Sequence, residues 1–295
     1  MEHVVWSSRP ALRSPVLVAA FTGWNDAGDA ASIALRHLAE SWQAEVFAEL
    51  DPEEFVDYQS TRPQVRLVDG ETREIVWPAT ELLSASTPGG DLVLVTGAEP
   101  QLRWRTFCQE IVEVAEELSV SMVITLGALL ADVPHRRPVS IIGTASDATL
   151  VQRYGLQRSR YEGPTGILGC IHDACTNAGI ASLSLWAAVP AYAPSTTSPK
   201  AALALLRRTA SLVGSPIDAS GLEREVGDYE AEVDEYVERD DDLQSYVAQL
   251  EHLVDEDGDD DAPAADTAAG DAPAEHGSAE RLVAEVEQFL RDQGE

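Results

Sequence analysis

Residues 15–30 read PVLVAAFTGWNDAGDA, and this stretch decides the fold class of the chain. Residues 15–22 form a nearly continuous apolar run, which is typical of a strand buried on both faces of a parallel sheet. A turn with two glycines follows, and a helical pattern then continues to about Ser41. A buried strand that leads through a tight turn into a helix is the repeating unit of an α/β domain.

Strands and helices alternate in the same way through the first 221 residues. Apolar runs predict further strands at residues 45–50, 91–96, 122–126, 139–145 and 183–189. Helical periodicity predicts helices at residues 101–118, 167–177 and 198–214. Asp69 and Gly70 separate two alternating segments and predict a hairpin at 64–77, because both residues tolerate positive φ angles. We therefore predict one α/β domain over residues 1–221, a three-layer sandwich with a mostly parallel sheet.

The pattern changes at Leu222, where apolar residues begin to recur at spacings of four and three. Such a stripe is typical of amphipathic helices. Its members are Leu222, Val226, Tyr229, Val233, Tyr236, Leu243, Val247, Leu250 and Val254. Acidic residues at 240–242 interrupt the register and suit a helix start, so we predict two helices in an acidic extension over residues 222–254. The stripe packs either on the α/β domain or against a second subunit or partner.

The composition changes again beyond residue 254. Residues 255–278 contain nine acids and no Lys or Arg, and the rest are mostly Ala, Pro and Gly. Such a segment cannot bury enough apolar surface to offset its ordering entropy, so we predict a disordered acidic linker. Residues 279–293 place Leu282, Val286 and Phe289 on one helical face and predict a short amphipathic helix.

The charge of the chain excludes one class of partner. The 295 residues carry a formal net charge of −31, and residues 222–295 alone, with 26 acids and 4 arginines, contribute −22 of it. Nucleic-acid binders need a basic face, so we expect no nucleic-acid partner. Three cysteines cannot form a disulfide framework. Residues 1–10 contain no apolar core of signal-peptide length, and no apolar run in the sequence approaches the length of a membrane span. We expect a cytoplasmic protein with no membrane association.

The turn after the first strand is the first candidate ligand site, and it contains Gly23, Trp24, Asn25 and Asp26. Loops at the carboxyl ends of parallel strands bind ligands in open α/β sheets, and glycines let a backbone approach an anion at a helix start. The turn matches neither a dinucleotide fingerprint nor a phosphate-binding loop. Its carboxylates also suit helix capping, so ligand contact and capping both remain open.

Three more glycine-bearing turns are candidates for the same site. Thr165 and Gly166 precede the helix predicted at 167–177, where Thr165 can act as the cap. Gly97 and Gly127 come directly after two predicted strands. We therefore expect these turns to converge with residues 23–26 on one crevice. An ordinary helix start is the alternative for residues 165–166.

A polar loop at residues 132–138 contains His135, a candidate general base or anion contact. The sequence supplies no recognisable nucleophile or orienting acid for it, so we predict no catalytic residue. We expect Arg136 and Arg137 to serve oligomer or surface contacts. No serine nucleophile elbow, zinc-binding helix motif or calcium loop occurs in the sequence, and we predict neither a metal nor a cofactor.

Four ordered blocks carry a resemblance to a known family: residues 23–28, GWNDAG; 127–135, GALLADVPH; 163–167, GPTGI; and 198–202, SPKAA. With them the chain resembles the actinobacterial branch of the proteasome assembly chaperone 2 family over about residues 4–250. The resemblance implies a fold like that of nucleoside phosphorylases and hydrolases, with added helices. It also implies self-assembly into a homo-oligomer, with a trimer as one stoichiometry, and a protein partner such as proteasome subunits.

Three hypotheses about function follow. The leading one is a non-catalytic, oligomeric binding or assembly protein, because the family blocks are present and a coherent catalytic set is absent. The second is a protein or enzyme that binds a nucleoside or small anion, for which the glycine turns and the phosphorylase-like fold argue. In the third, the C-terminal helices carry the function and the α/β domain is their platform.

Overall fold

A computed structural model of the chain describes residues 1–145, 147–157, 162–194 and 196–259. The strands are β1 Val4–Trp6, β2 Val16–Thr22, β3 Glu45–Leu50, β4 Gln64–Val68, β5 Thr72–Val76, β6 Thr80–Thr87, β7 Gly90–Ala98, β8 Met122–Ala131, β9 Ile141–Ala145 and β10 Ser182–Pro190. The helices are α1 Ala30–Ser41, α2 Trp104–Glu117, α3 Ala148–Tyr154, α4 Ile167–Asn177, α5 Pro199–Val213, α6 Ser220–Val237 and α7 Asp241–Asp259.

The central sheet has eight strands in the order β1-β3-β6-β7-β2-β8-β10-β9. Its four central strands, β7, β2, β8 and β10, are parallel to one another. The flanking strands β6, β3, β1 and β9 pair antiparallel. The predicted α/β class is therefore confirmed, and the parallel part of the sheet is its centre, where both faces are covered.

Helices cover both faces of the sheet and make the three predicted layers. On one face α1 and α5 pack against each other, α1 over β2 and β8 and α5 over β10, with a core that includes Leu35, Leu38 and Leu205. On the other face α2 packs against α4, and Phe107, Ile111 and Ile171 are fully buried there. Ser198 caps α5 by accepting a hydrogen bond from the Ala201 amide. The α5 start therefore has the cap and first-turn proline that its sequence predicts.

The prediction at residues 64–77 is confirmed. β4 and β5 pair antiparallel around Asp69 and Gly70, whose φ angles are 53° and 76°. The two strands form a separate two-stranded sheet, and every residue in them is exposed. We call this element, together with Trp77, the ribbon.

Three elements were not predicted from the sequence: β1, β6 and α3. Strand β6, TELLSAST, has only two large apolar side chains, so it lacks the apolar run that predicts a buried strand, although it pairs with β3 and β7. A turn at Pro88 and Gly89 joins it to β7 and was the overlooked signal.

The C-terminal helices pack on the α/β domain. Leu222 joins the core beneath α5, while Tyr229, Val233 and Val247 form a smaller cluster with Ala193. Asp240 caps α7 by accepting hydrogen bonds from the amides of residues 242 and 243 at 2.9 and 3.1 Å. The helix extends to Asp259, the last residue described there, so the prediction that residues 255–259 belong to the disordered linker is wrong. Residues 260–278 of the predicted linker and the predicted helix at 279–293 lie outside the described residues.

Candidate functional site

In the turn after β2, the Asp26 side chain binds the first amides of α1. Asp26 is 5% exposed, and its Oδ1 accepts a hydrogen bond from the Ala31 amide at 2.7 Å and a longer one from the Ser32 amide. Burial raises the pKa of Asp26, and the hydrogen bonds to these amides offset part of that shift. Gly28, with φ of 60°, turns the chain into the helix. Asp26 is therefore a cap of α1, one of the two roles that the sequence left open.

Asn25 joins this turn to two distant segments. Its Nδ2 donates to Glu99 Oε1 at 2.6 Å, and the same oxygen accepts from the Ile167 amide at 2.9 Å. Glu99 follows β7, and Ile167 is the first residue of α4. A carboxylate at a helix N-terminus satisfies an unpaired amide and interacts favourably with the helix dipole. We call this arrangement the Asn25–Glu99 junction.

Gly166 makes the junction possible. A Cβ atom at this position would lie 2.7 Å from Asn25 Cγ and would overlap its Oδ1. The Asn25 side chain is fully buried, and among the described residues its Oδ1 has no hydrogen-bond partner. Residues 25 and 166 are therefore brought together as the sequence predicts, through direct packing.

The predicted cap at Thr165 is wrong. Gly166, and not Thr165, is the N-cap residue of α4, and it has no side chain that could cap the helix. The Glu99 carboxylate, just after β7, accepts the hydrogen bond from the Ile167 amide instead. Thr165 is exposed, and its hydroxyl lies over Gly169. Sequence reasoning missed Glu99, although an acid just after a predicted strand was the signal for it.

The predicted loop positions of Gly97 and Gly127 are also wrong. Both glycines lie inside strands, in β7 and β8 respectively, because β8 continues to Ala131 where it pairs with β10. A Cβ at Gly127 would lie 2.6 Å from the Trp186 ring, and one at Gly97 would lie 3.0 Å from a backbone carbonyl. These glycines serve close packing within the sheet.

A cleft of about 270 Å³ lies next to the α1 turn, at the carboxyl ends of β2 and β8. Trp24 lines it and is 38% exposed. The other lining residues are Gly23, Asp26, Ala27, Gly28, Asp29, Leu129, Leu130, Pro194, Thr196 and Thr197. No lysine or arginine occurs among these described lining residues, while two aspartates do. The cleft is therefore acidic and partly apolar.

His135 lies inside a buried hydrogen-bond network. Its Nδ1 is 2.7 Å from the Tyr192 hydroxyl, which also accepts from the His135 amide at 2.8 Å. Its Nε2 is 2.7 Å from Asp234 Oδ1 on α6, and Lys200 donates to its carbonyl oxygen at 2.6 Å. Both ring nitrogens thus have protein partners: Asp234 ties the loop to α6, and Tyr192 ties it to the segment after β10.

Arg136 and Arg137 bind acids of the same chain. Arg136 contacts Asp234 at 2.6 Å, and Arg137 contacts Asp255 at 2.7 Å through two nitrogens. Both arginines thus make surface ion pairs, to α6 and α7, and the expected role in oligomer contacts stays a prediction. Burial alone would raise the pKa of Asp234, but hydrogen bonds from His135 and Arg136 outweigh it, so the pKa is lowered.

The thiols do not offer a nucleophile. Burial raises the pKa of Cys108 and of Cys175 to about 12, and a reactive cysteine needs the thiolate. The described ranges contain no group of three or more His, Cys, Asp or Glu residues that could hold a metal ion. Within the same ranges, no helix combines the length and apolar composition needed to cross a membrane.

The chain is a three-layer α/β protein with an acidic cleft at the carboxyl edge of its sheet and a neighbouring helix start that a carboxylate of the same protein caps. The chain belongs to the PAC2 family, whose model matches residues 20–237. The match ends at the last residue of α6, so α7 lies outside it. A search of curated proteins found no significant match.

Solved structures agree with the family assignment. A PAC2 family protein from Streptomyces avermitilis is 47% identical, with a TM-score of 0.75, and the match covers 79% of this chain and 99% of that one. A proteasome-assembly chaperone homologue from Mycobacterium tuberculosis is 48% identical, with a TM-score of 0.72 and the same coverage. A second M. tuberculosis protein, of unknown function, is 26% identical with a TM-score of 0.81 and covers 99% of this chain and 97% of its own.

Proposed function

We propose that this protein is a non-catalytic, homo-oligomeric binding or assembly protein of the cytoplasm, whose partners are proteins such as proteasome subunits. The observation that carries the proposal is the Asn25–Glu99 junction. An enzyme of this fold would use a helix start at the carboxyl edge of the sheet to hold an anionic substrate. Here the Glu99 carboxylate contacts the Ile167 amide at 2.9 Å and occupies that position.

Two further observations support a binding role over catalysis. Both ring nitrogens of His135 are in hydrogen bonds with Tyr192 and Asp234, so neither is free to accept a substrate proton. The M. tuberculosis homologue, 48% identical over nearly its whole length, is named a proteasome-assembly chaperone homologue. Partner binding is the function that such a relative suggests for this chain.

The test is affinity capture of the tagged full-length chain from its own cells, with quantitative proteomics. We expect reproducible enrichment of proteasome subunits relative to an unrelated tagged protein of similar acidity. A parallel co-expression with proteasome α-subunits would show whether the contact is direct. Reproducible absence of proteasome subunits and of any other stable partner would contradict the proposal.

The cleft supports a second candidate function, the binding of a nucleoside or small anion. Trp24 offers a partly exposed ring on which a base could stack, while Asp26 and Asp29 oppose an anionic group. A neutral nucleoside therefore fits the lining better than a nucleotide or phosphate. A thermal-shift series with all three at millimolar concentration tests this, because a ligand of the native state raises its stability. No shift, or a shift retained in Trp24→Ala, would count against the cleft as the site.

A further inference from the structure

Helix α7 lies on α6 and on the segments that follow β8 and β10. The Tyr246 hydroxyl donates to Asp132 at 2.7 Å, and the Tyr246 ring stands at right angles to that of Tyr192, with ring centroids 6.2 Å apart. Val247 and Leu250 of α7 are buried, with 3% and 7% of their surface exposed. The neighbouring Gln249 is exposed, so the helix attaches through one face.

Two arginines of the loop after β8 bind carboxylates on α7. Arg137 contacts both oxygens of Asp255 at 2.7 Å through two nitrogens, and it lies 3.5 Å from Glu251. Arg136 lies 3.9 Å from the same Glu251 oxygen. Because Glu251 and Asp255 are four residues apart, they project from one side of the helix towards the two guanidinium groups. Charged and apolar contacts thus lie side by side under α7.

The sequence of α7 stabilises this helix poorly. The helix contains seven acids and no lysine or arginine, so it has none of the acid–base pairs with these residues that support isolated helices. Four of the acids lie in residues 255–259, where the negative end of the helix dipole disfavours them. Most helical stability in proteins comes from packing of the amphipathic face. We therefore expect α7 to depend on the surface beneath it and to open separately from the α/β domain.

The surface beneath α7 has the composition of a protein-binding surface. Tyrosine and arginine are the residues enriched at the centres of protein interfaces, beside apolar side chains. The family model ends at the last residue of α6, so it includes this surface but not the helix that covers it. We call the surface the α7 surface, and its members are Arg136, Arg137, Tyr192, Ala193, Val233 and Val237.

We propose that the α7 surface is a docking site for an acidic amphipathic helix of a protein partner, and that α7 is an autoinhibitory occupant which the partner helix displaces. This inference rests on the binding role in the proposed function and names the surface and the kind of segment that binds there. The chemistry of the partner helix follows from what α7 presents. It has two apolar residues three apart, as at Val247 and Leu250, followed by carboxylates at the positions of Glu251 and Asp255.

Displacement exchanges one acidic helix for another, so Arg137 keeps a carboxylate partner and the apolar residues stay covered. Because α7 belongs to the same chain, its effective concentration at the surface is high, and a partner must bind more tightly than α7 does. The poor intrinsic stability of α7 lowers this threshold. Segments that lack the acidic and apolar pattern cannot compete, so α7 makes the surface selective.

The first experiment measures binding of a fluorescein-labelled peptide of residues 240–259 to the full-length chain by fluorescence anisotropy. Leu250→Asp in the chain should tighten binding about tenfold, because a charge at a buried position detaches α7 and frees the surface. Gln249→Asp is the matched control, since it adds the same charge on the exposed side of α7, and should leave the affinity unchanged. Circular dichroism and Tm confirm that the α/β domain folds in both variants.

The second experiment tests the charges. Arg137→Glu, added to Leu250→Asp, should weaken binding of the peptide about tenfold, because it opposes the carboxylates that Arg137 attracts. A peptide with Asp255→Arg should regain affinity for this double variant and should bind Leu250→Asp alone more weakly. Added salt should weaken binding of the unchanged peptide to Leu250→Asp, since the Arg137 and Asp255 side chains are 30% and 55% exposed.

The third experiment follows α7 itself by hydrogen exchange and mass spectrometry on the wild-type chain. We expect the amides of α7 to exchange faster than those of α5, whose apolar face is buried in the main core. An excess of unlabelled peptide should speed the exchange of α7 further, because the peptide takes its place. Protection of α7 equal to that of α5 and unchanged by the peptide would contradict displacement.

Three results of the binding experiments would overturn the inference: no binding of the peptide to Leu250→Asp, equal binding to Leu250→Asp and Gln249→Asp, or binding that Arg137→Glu does not change. If Arg137→Glu instead lowers the mass of the purified chain in sedimentation, α7 of a second copy is the occupant and the assignment to a partner is wrong.

The capture experiment separates this inference from the proposed function. The proposed function fails if the wild type captures no partner. The inference fails if the wild type and Arg137→Glu capture the same partner equally, because the partner then binds a different surface. Loss of capture in Arg137→Glu, with increased capture in Leu250→Asp, is the expected result.

Discussion

Two helices, α1 and α4, begin at the same edge of the sheet, and a carboxylate caps each of them, from nearby in the sequence for α1 and from a distant strand end for α4. Asp26 caps α1 from five residues before the amide that it binds, and its carboxyl group is buried. Glu99 caps α4 from 68 residues away, at the end of β7. The first cap is a local feature of the chain, whereas the second exists only because the sheet places β7 beside β2.

The comparison shows why glycine turns in this fold do not by themselves indicate an anion site. A helix start has unpaired amides that need an acceptor, and either a ligand or the protein can supply it. In both helices the protein supplies a carboxylate. The acidic cleft beside Trp24 is a separate feature: Asp26, the cap of α1, lines the cleft but does not fill it.

Gly166→Ala tests the long-range cap and should have the largest effect. Its Cβ would lie 2.7 Å from Asn25 Cγ in a fully buried region, so the junction must open. Overpacking of this kind costs about 1–3 kcal/mol, and loss of the Glu99 contacts adds to it, so we expect about 3 kcal/mol. Urea unfolding measures the change. Gly227→Ala, in open space on α6, is the control and should be neutral or slightly stabilising.

Asp26→Ala tests the local cap and should lower the free energy of unfolding by about 2 kcal/mol, the upper range for a lost helix cap. Asp26→Asn should cost less, because it keeps an oxygen acceptor. Burial raises the pKa of Asp26 above its ordinary value of 3.8, so its ionisation opposes folding. The wild type should therefore lose stability relative to Asp26→Asn as pH rises from 3.8 through the folded-state pKa. A stability difference between the wild type and Asp26→Asn that does not change with pH would contradict the raised pKa of Asp26.

Glu99→Ala should cost about 1 kcal/mol, because Glu99 is only partly buried and water can replace it at the helix start. Glu99→Gln should recover part of the loss by keeping one acceptor for Asn25. A double-mutant cycle sharpens the comparison: Glu99 and Asn25 should couple, since they share a hydrogen bond of 2.6 Å. Additive effects of those two residues would refute the junction.

The smallest expected effect concerns His172, which lies in the body of α4 and not at its capped start. Burial lowers the pKa of His172 from its ordinary value of 6.5, so the folded protein favours the neutral ring. As pH falls, the unfolded chain therefore takes up the proton before the folded protein does. The contribution of the neutral His172 ring to stability is complete above pH 6.5 and is lost as pH falls from 6.5 towards the folded-state pKa. His172→Gln should remove this dependence in urea unfolding at pH 7.5, 6.5 and 5.5. His252→Gln on exposed α7 should leave it intact.

Much of the fold was predictable because its signals are local. The helix over residues 167–177, the Asp69–Gly70 turn and the Ser198 cap were predicted within a residue or two, since each depends on periodicity or on a few adjacent residues. The end of β8 was not predictable. Its last residues, at 127–131, belong to the strand because β10 pairs with them along its whole length.

The candidate site was predictable in part. The expectation that residues 25 and 166 lie together was right, but for a packing reason, and the expectation that Gly97 and Gly127 join them was wrong. The network around His135 could not be seen either, because its partners Tyr192 and Asp234 lie 57 and 99 residues away in the chain.

The sequence by itself determined the α/β class, the acidic character and the family blocks, and it limited the Asp26 turn to two roles, of which the structure shows the helix cap. These follow from patterns that span a few residues, and such patterns act before the chain is compact. Only the tertiary structure decided that Glu99 closes α4, that His135 ties a loop to α6, and that both faces of the ribbon stay exposed. Each of these depends on which strands become neighbours, and that order is set when the whole sheet buries its two faces.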